Sequence, residues 1–137
     1  MLRETFVWPV RVYYEDTDAA GIVYHANYLR YMERARTEWL RALGFEQDRL
    51  AAEQGLIFVI TRSDVRYLRA ARFNEELKVV SRLERLRRVS IEFAQHIDDA
   101  AGRTVCSAHN AVACINATSF SPSRVPAHMM RVFQGVD

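Results

Sequence analysis

The sequence predicts an α+β domain in which one long helix lies against one face of an antiparallel sheet of about five strands. Three observations predict it. The chain opens on a strand-like run, FVWPVRVYYE at 6–15; a helical repeat follows from Asn27 to Leu43; and after Gly55 the periodicity switches to that of strands and stays there to about Ile115. With 137 residues, half of them apolar, the chain is long enough for one packed core and too short for two ordinary domains, so residues 1–137 are read as a single domain.

The opening run is rich in β-branched and aromatic residues, and Pro9 assigns its start to an edge or a bulge, because proline cannot donate to a central ladder. In NYLRYMERARTEWLRAL, the apolar residues Tyr28, Leu29, Met32, Ala35, Trp39, Leu40 and Leu43 recur at three- and four-residue intervals, and Gly44 is placed to end the helix. A shorter helical stretch, roughly 46–53, stops at Gly55. Four strands follow: LIFVITRSDVRYL, ELKVVSRLERL, RVSIEFAQHI and TVCSAHNAVACI. In the third, Val89, Ile91, Phe93 and Ile97 share one face, the alternation of a sheet wet on one side. DDAAGR, Asp98 to Arg103, reads as a hairpin turn, and the segment after Pro126 as a short helix. One helix covers five strands poorly, so an edge or face is expected to be left for a second copy of the chain.

Several function classes are excluded early. A net charge of +2 does not argue for nucleic acid, although arginines cluster at Arg62 to Arg72 and Arg82 to Arg88. No apolar run approaches the length of a membrane span, and MLRETFVWPV lacks the apolar centre of a signal peptide, so a cytoplasmic protein is expected. The two cysteines, Cys106 and Cys114, are eight apart on a strand, facing the same way and too distant to bridge; they read as buried thiols. His96 and His109 with these cysteines lack metal-ligand spacing, so no metal is expected.

The chemistry concentrates in EDTDAAGIVYHANY, Glu15 to Tyr28, where three carboxylates fall in four residues. Acids before a helix ordinarily cap it and oppose its dipole. Here they precede the helical pattern by some nine residues and are followed by an apolar stretch, which argues against capping. Backbone amides at a helix start are unpaired and partly positive, so they can hold the oxyanion that forms when a carbonyl is attacked; a carboxylate opposite them can attack or activate water. His25, at the helix start, can contribute its ring or its backbone amide, although a lone histidine is more often a structural hydrogen-bonding group.

DTDAAGIVYHANYLRYMERAR closely resembles the signature of the hotdog-fold acyl-CoA thioesterases of the 4-hydroxybenzoyl-CoA thioesterase type, including the bacterial thioesterases associated with the Tol-Pal system. The likeness extends in the same element order to about Phe120. It implies a hotdog fold, an antiparallel sheet of about five strands wrapped around one long central helix, and hydrolysis of an acyl-CoA thioester to free acid and CoA without a cofactor. Asp18 matches the family's catalytic carboxylate, as nucleophile or general base, and Asp16 its supporting partner. Gly21 matches the turn glycine. His25 matches the position whose amide faces the thioester carbonyl; some relatives carry Tyr there, so the resemblance carries the amide role and not a side-chain role. Tyr24 beside it counts among the supporting residues. Arg87 and Arg88 stand where relatives place basic residues toward the nucleotide of CoA, against the alternative of a solvated turn. Glu33 belongs to the polar stripe of the helix and reads as a salt-bridge partner.

The partners implied are an acyl-CoA substrate, a homodimer or homotetramer, and an acyl-carrier protein as an alternative thiol carrier. Two competing readings keep less of this chemistry: a hotdog hydratase or dehydratase on acyl thioesters, and a non-catalytic module that binds acyl-CoA or acyl-carrier protein. The run D-x-D-x-x-G-x-V-x-H, with Asp18 present, favours the thioesterase.

Overall fold

In the computed structural model, which describes residues 5–135, the elements are β1 (Phe6–Arg11), α1 (Asn27–Ala42), α2 (Gln47–Gln54), β2 (Leu56–Tyr67), β3 (Glu76–Leu86), β4 (Ser90–Asp98), β5 (Thr104–Asn116) and α3 (Ala127–Phe133). The strands form one antiparallel sheet in the order β1-β3-β4-β5-β2. Strands β1 and β2 are its two edges, and Pro9 lies on β1 as its missing N–H requires. No helix among the described residues is long and apolar enough to cross a membrane.

Strand β1 stops at Arg11 rather than running to Glu15. Its register with β3 ends at Arg11 opposite Glu76, and residues 14–16 then coil into a 3-10 turn stabilised by the Asp16 carboxylate, which accepts the Tyr13 N–H at 2.8 Å. Helix α1 ends as the glycine predicts. Gly44, at φ 95°, donates to the Arg41 carbonyl, and Phe45 donates to that of Leu40, the paired closure that satisfies the last carbonyls of a helix.

The buried stripe of α1 is Tyr28, Tyr31, Met32, Ala35, Trp39 and Leu40. Leu29 and Leu43, expected in it, are only half-buried at its margins, whereas Tyr31, which the periodicity passes over, is 1% exposed. Nor does α1 cover the sheet alone. Leu50 of α2 and Met129 and Phe133 of α3 join Trp39, Leu40, Ile91 and Phe93 in a second apolar cluster, separate from the one around Tyr28, Met32, Val79 and Ile97.

A polar layer lies between these clusters. Gln95 of β4, 2% exposed, donates to the Met32 carbonyl at 3.0 Å and to the Ser81 hydroxyl at 2.8 Å, and its oxygen accepts from Arg36 and from Asn110, both at 2.9 Å. One amide thereby ties α1 to β3, β4 and β5 with all four of its hydrogen-bonding positions used. Replacing Gln95 by Leu strands a buried guanidinium and a buried amide together. We expect a loss of about 3 kcal/mol or more in chemical denaturation; a variant within 0.5 kcal/mol of wild type, roughly the range of a neutral surface change, would show that water replaces the amide.

Candidate active site

The acidic stretch folds as a small hairpin against the start of α1. Thr17 bridges Val23, Ile22 bridges Arg72, and Gly21 turns the chain at φ 77°, in the left-handed region where a Cβ is disfavoured. Within it the two aspartates do different work. Asp16 is buried: its carboxylate holds Tyr13, while its carbonyl accepts the Tyr24 N–H and the Asn27 side-chain amide, both at 2.8 Å. Asp18 is exposed, and its Oδ1 accepts the Ala20 N–H at 2.9 Å, a local turn contact that leaves the other oxygen without a hydrogen bond among the described residues.

None of these acids caps α1. The residue before the helix is Ala26, no side chain caps it, and its first turn carries no acid. The Tyr24 N–H is spent on Asp16 and the Asn27 N–H on the Tyr24 carbonyl, but those of His25 and Ala26 make no hydrogen bond among the described residues. An exposed carboxylate and unspent helix-start amides therefore share one short loop. His25 is exposed, with its ring tilted on Tyr24 at 4.6 Å and edge-on to Tyr67 of β2 at 6.0 Å. Tyr28 accepts the Ala71 N–H at 3.3 Å and closes the hairpin against the segment after β2.

Other expected residues lie elsewhere. Arg87 and Arg88 occupy the β3–β4 turn, at the far end of β3 from the hairpin; its 11 residues span on the order of 33 Å. Arg87 pairs with Glu92 at 2.8 Å, and Arg88 is exposed. Glu33 forms no ion pair among the described residues and instead accepts the Thr37 hydroxyl at 2.6 Å. Arg62 pairs with Asp64 on the outer sheet face, where His96 and His109 meet Asp98 and Glu84. Cys106 and Cys114 are free and buried. No group of three or more His, Cys, Asp or Glu among the described residues is placed to hold a metal.

Sequence reasoning missed a pocket of about 410 Å³ between α1 and strands β2, β4 and β5. Leu40, Phe58, Ile91, Phe93 and Val112 wall it, and Arg36 lines it from the buried side of α1. The signal was present: Arg36 falls on the buried stripe, four after Met32 and three before Trp39, and Gln95 interrupts the inward row Ile91, Phe93, Ile97.

The sequence profile of the thioesterase-like superfamily matches residues 12–133. The acyl-CoA thioester hydrolase YbgC of Escherichia coli O157:H7 is 40% identical over 129 residues, 94% of this chain and 96% of that protein. The acyl-CoA thioesterase YbgC of Haemophilus influenzae is 40% identical over 133 residues, 97% of each chain. Among solved structures, a probable thioesterase from Bartonella henselae superposes with a TM-score of 0.84 at 34% identity, covering 89% of this chain and 99% of that one.

The buried thiols and phenols also predict how the fold responds to alkali. Burial pushes the Cys106 thiol from 9.0 up to about 12 and raises Cys114 and Tyr28; burial and the neighbouring Asp16 carboxylate raise Tyr31. The folded values exceed the unfolded ones, so the unfolded chain releases these protons first. The stabilisation is complete below pH 9.0 and is lost as pH climbs toward about 12. Urea midpoints should fall steadily above pH 9.0, with both thiols silent to a thiol reagent until unfolding; thiols that react in the native state would contradict this burial.

Proposed function

The chain belongs to the thioesterase-like superfamily, among its hotdog-fold acyl-CoA thioesterases, and we propose that it hydrolyses an acyl-CoA thioester with Asp18 and the amides at the start of α1. One observation carries the assignment: the N–H groups of His25 and Ala26 make no hydrogen bond among the described residues and share one short loop with an exposed carboxylate that does not cap the helix. The thioester carbonyl accepts from these amides, which stabilise the oxyanion. Asp18 either attacks the carbonyl carbon, expelling the CoA thiolate and leaving a mixed anhydride that water then hydrolyses to the free acid and the restored carboxylate, or it draws a proton from a water that attacks the carbonyl carbon directly. In both routes the thioester C–S bond breaks and the thiolate is protonated. Asp16, Gly21 and Tyr24 hold the hairpin that aims Asp18, and His25 acts through its backbone.

The active unit is a homo-oligomer. Strand β2 is an open edge that exposes Ile60, Tyr67 and, just beyond it, Leu68. Antiparallel addition of a second β2 along that edge sets the Tyr67 end of one copy, with its acid hairpin, beside the Leu56 end of the other, with its pocket and β3–β4 turn. Arg87 and Arg88 of one copy then bind the phosphates of a CoA whose thioester lies at the partner subunit's Asp18, which reconciles their distance from the hairpin within one chain. An acyl-carrier protein is the alternative thiol carrier, and the enzyme acts in the cytoplasm.

Asp18→Asn should lower kcat on the order of a hundredfold or more, about 2.7 kcal/mol of barrier, with binding largely retained. Asp16→Asn should cost less activity and more thermal stability, since that carboxylate holds the turn, and His25→Ala should cost activity only modestly. Near wild-type turnover by Asp18→Asn would return the acids to turn chemistry.

Arg87→Ala with Arg88→Ala should raise KM for acyl-CoA more than it lowers kcat, an effect that shrinks with salt and vanishes for a pantetheine thioester. An equal response of both substrates would assign the pair to the solvated surface.

A further inference from the structure

Arg36 is a buried cation that forms no ion pair among the described residues. Its residue is 8% exposed, and its one hydrogen bond goes to the neutral oxygen of Gln95, an acceptor it shares with Asn110. The Phe93 ring lies 6.0 Å from the guanidinium carbon. No carboxylate comes within ion-pair distance among the described residues: Glu33, one turn back on α1 and also lining the pocket, is exposed, accepts the Thr37 hydroxyl with one oxygen, and acts on Arg36 only through its charge. Burial lowers the proton affinity of Arg36, but a guanidinium stays charged at neutral pH. Taking such a charge out of water costs several kcal/mol unless an opposite charge or a full set of acceptors compensates it. A neutral amide oxygen and an aromatic ring supply only part of that.

The same guanidinium lines the largely apolar pocket between α1 and strands β2, β4 and β5. A volume of about 410 Å³ suits a small-molecule group; its aliphatic and aromatic walls suit a hydrocarbon chain, and Glu33, Thr37 and Gln47 line it beside Arg36 as its polar part. A wholly apolar occupant would seal the charge further from water without pairing it. A hydroxyl or phenol end would accept one hydrogen bond and leave the charge uncompensated. A carboxylate supplies both, because its two oxygens match the planar fork of a guanidinium. From this geometry we infer that the pocket selects acyl groups ending in a carboxylate, the monothioesters of dicarboxylic acids, with Arg36 as the specificity-determining residue. The inference rests on the hydrolase reading for its thioester and goes beyond it in naming the acyl class.

The test separates the two. Binding of non-hydrolysable thioether analogues of CoA is measured by calorimetry, comparing chains that end in carboxylate with methyl-ended chains of equal length. In parallel, kcat/KM is measured for adipoyl-CoA and hexanoyl-CoA. Wild type should prefer the carboxylate-ended member of each pair by tenfold or more. Arg36→Met should abolish that preference, and Arg36→Lys should keep part of it, because it retains the charge without the fork. Melting temperature and gel filtration accompany each variant. Carboxylate-selective binding without hydrolysis would sink the hydrolase reading and leave Arg36 standing. Hydrolysis in which wild type favours hexanoyl-CoA, or in which Arg36→Met leaves the ratio unmoved, would overturn the inference and make Arg36 a tie between helix and sheet; so would a variant whose only defect is loss of the oligomer, which would give the guanidinium a partner across that interface.

Discussion

The amide of Gln95 is the interaction on which the arrangement of this molecule depends. It sits on the inward face of β4, where an apolar side chain would bury more comfortably, and makes four hydrogen bonds reaching α1, β3 and β5. Apolar contact holds a helix on a sheet without fixing its rotation or its depth along the strands. A saturated buried amide fixes both, because any slip of α1 breaks directed bonds where water cannot replace them. The Met32 carbonyl is thus locked to one point of the sheet, and the first turn of α1 is locked with it.

Rigidity there makes the hairpin useful. The 15–27 segment spends its donors and acceptors on building itself: Asp16 ties the 3-10 turn to the helix start, Val23 is bound to Ala71, and Gly21 supplies a backbone conformation that other residues disfavour. What it leaves over is an exposed carboxylate and the amides of His25 and Ala26. Groups aimed by a locked frame need little reorganisation when charge develops in front of them, which is what the proposed hydrolysis asks of these groups. Asp16 and Asp18, two residues apart, are thereby divided by burial: one carboxylate holds the turn and the other stays open to solvent, as the proposed chemistry requires.

The less economical features lie between α1 and β2. A guanidinium buried against a neutral acceptor, apolar walls around an open pocket, and an edge strand with exposed Ile60 and Tyr67 all lower the stability of an isolated chain. Each would acquire a purpose in the proposed oligomer with the proposed substrate, since both would cover apolar surface and a carboxylate-ended acyl group would bring charge to Arg36. Proteins commonly concentrate such locally unfavourable choices at their sites.

Local pattern alone established the element order, the span of α1 nearly to the residue and its closure at Gly44, and it singled out the acidic stretch that carries the proposed chemistry. These features are legible because they depend on neighbours within a turn or two: helical spacing, strand alternation, and a glycine where the backbone must turn left-handed. The stop of β1 at Arg11 was not legible, because it depends on where β3 begins. Nor was the contribution of α3 to the core, or the burial of Tyr31. Arg36 and Gln95 stood in plain view as polar residues in apolar rows, but a single row cannot say that they meet, and they are 59 residues apart. Which aspartate is buried, which amides stay unspent, and which cation goes unpaired are balances struck among distant segments. Only packing in three dimensions decides them, because a hydrogen bond or a desolvated charge is counted where chains come together.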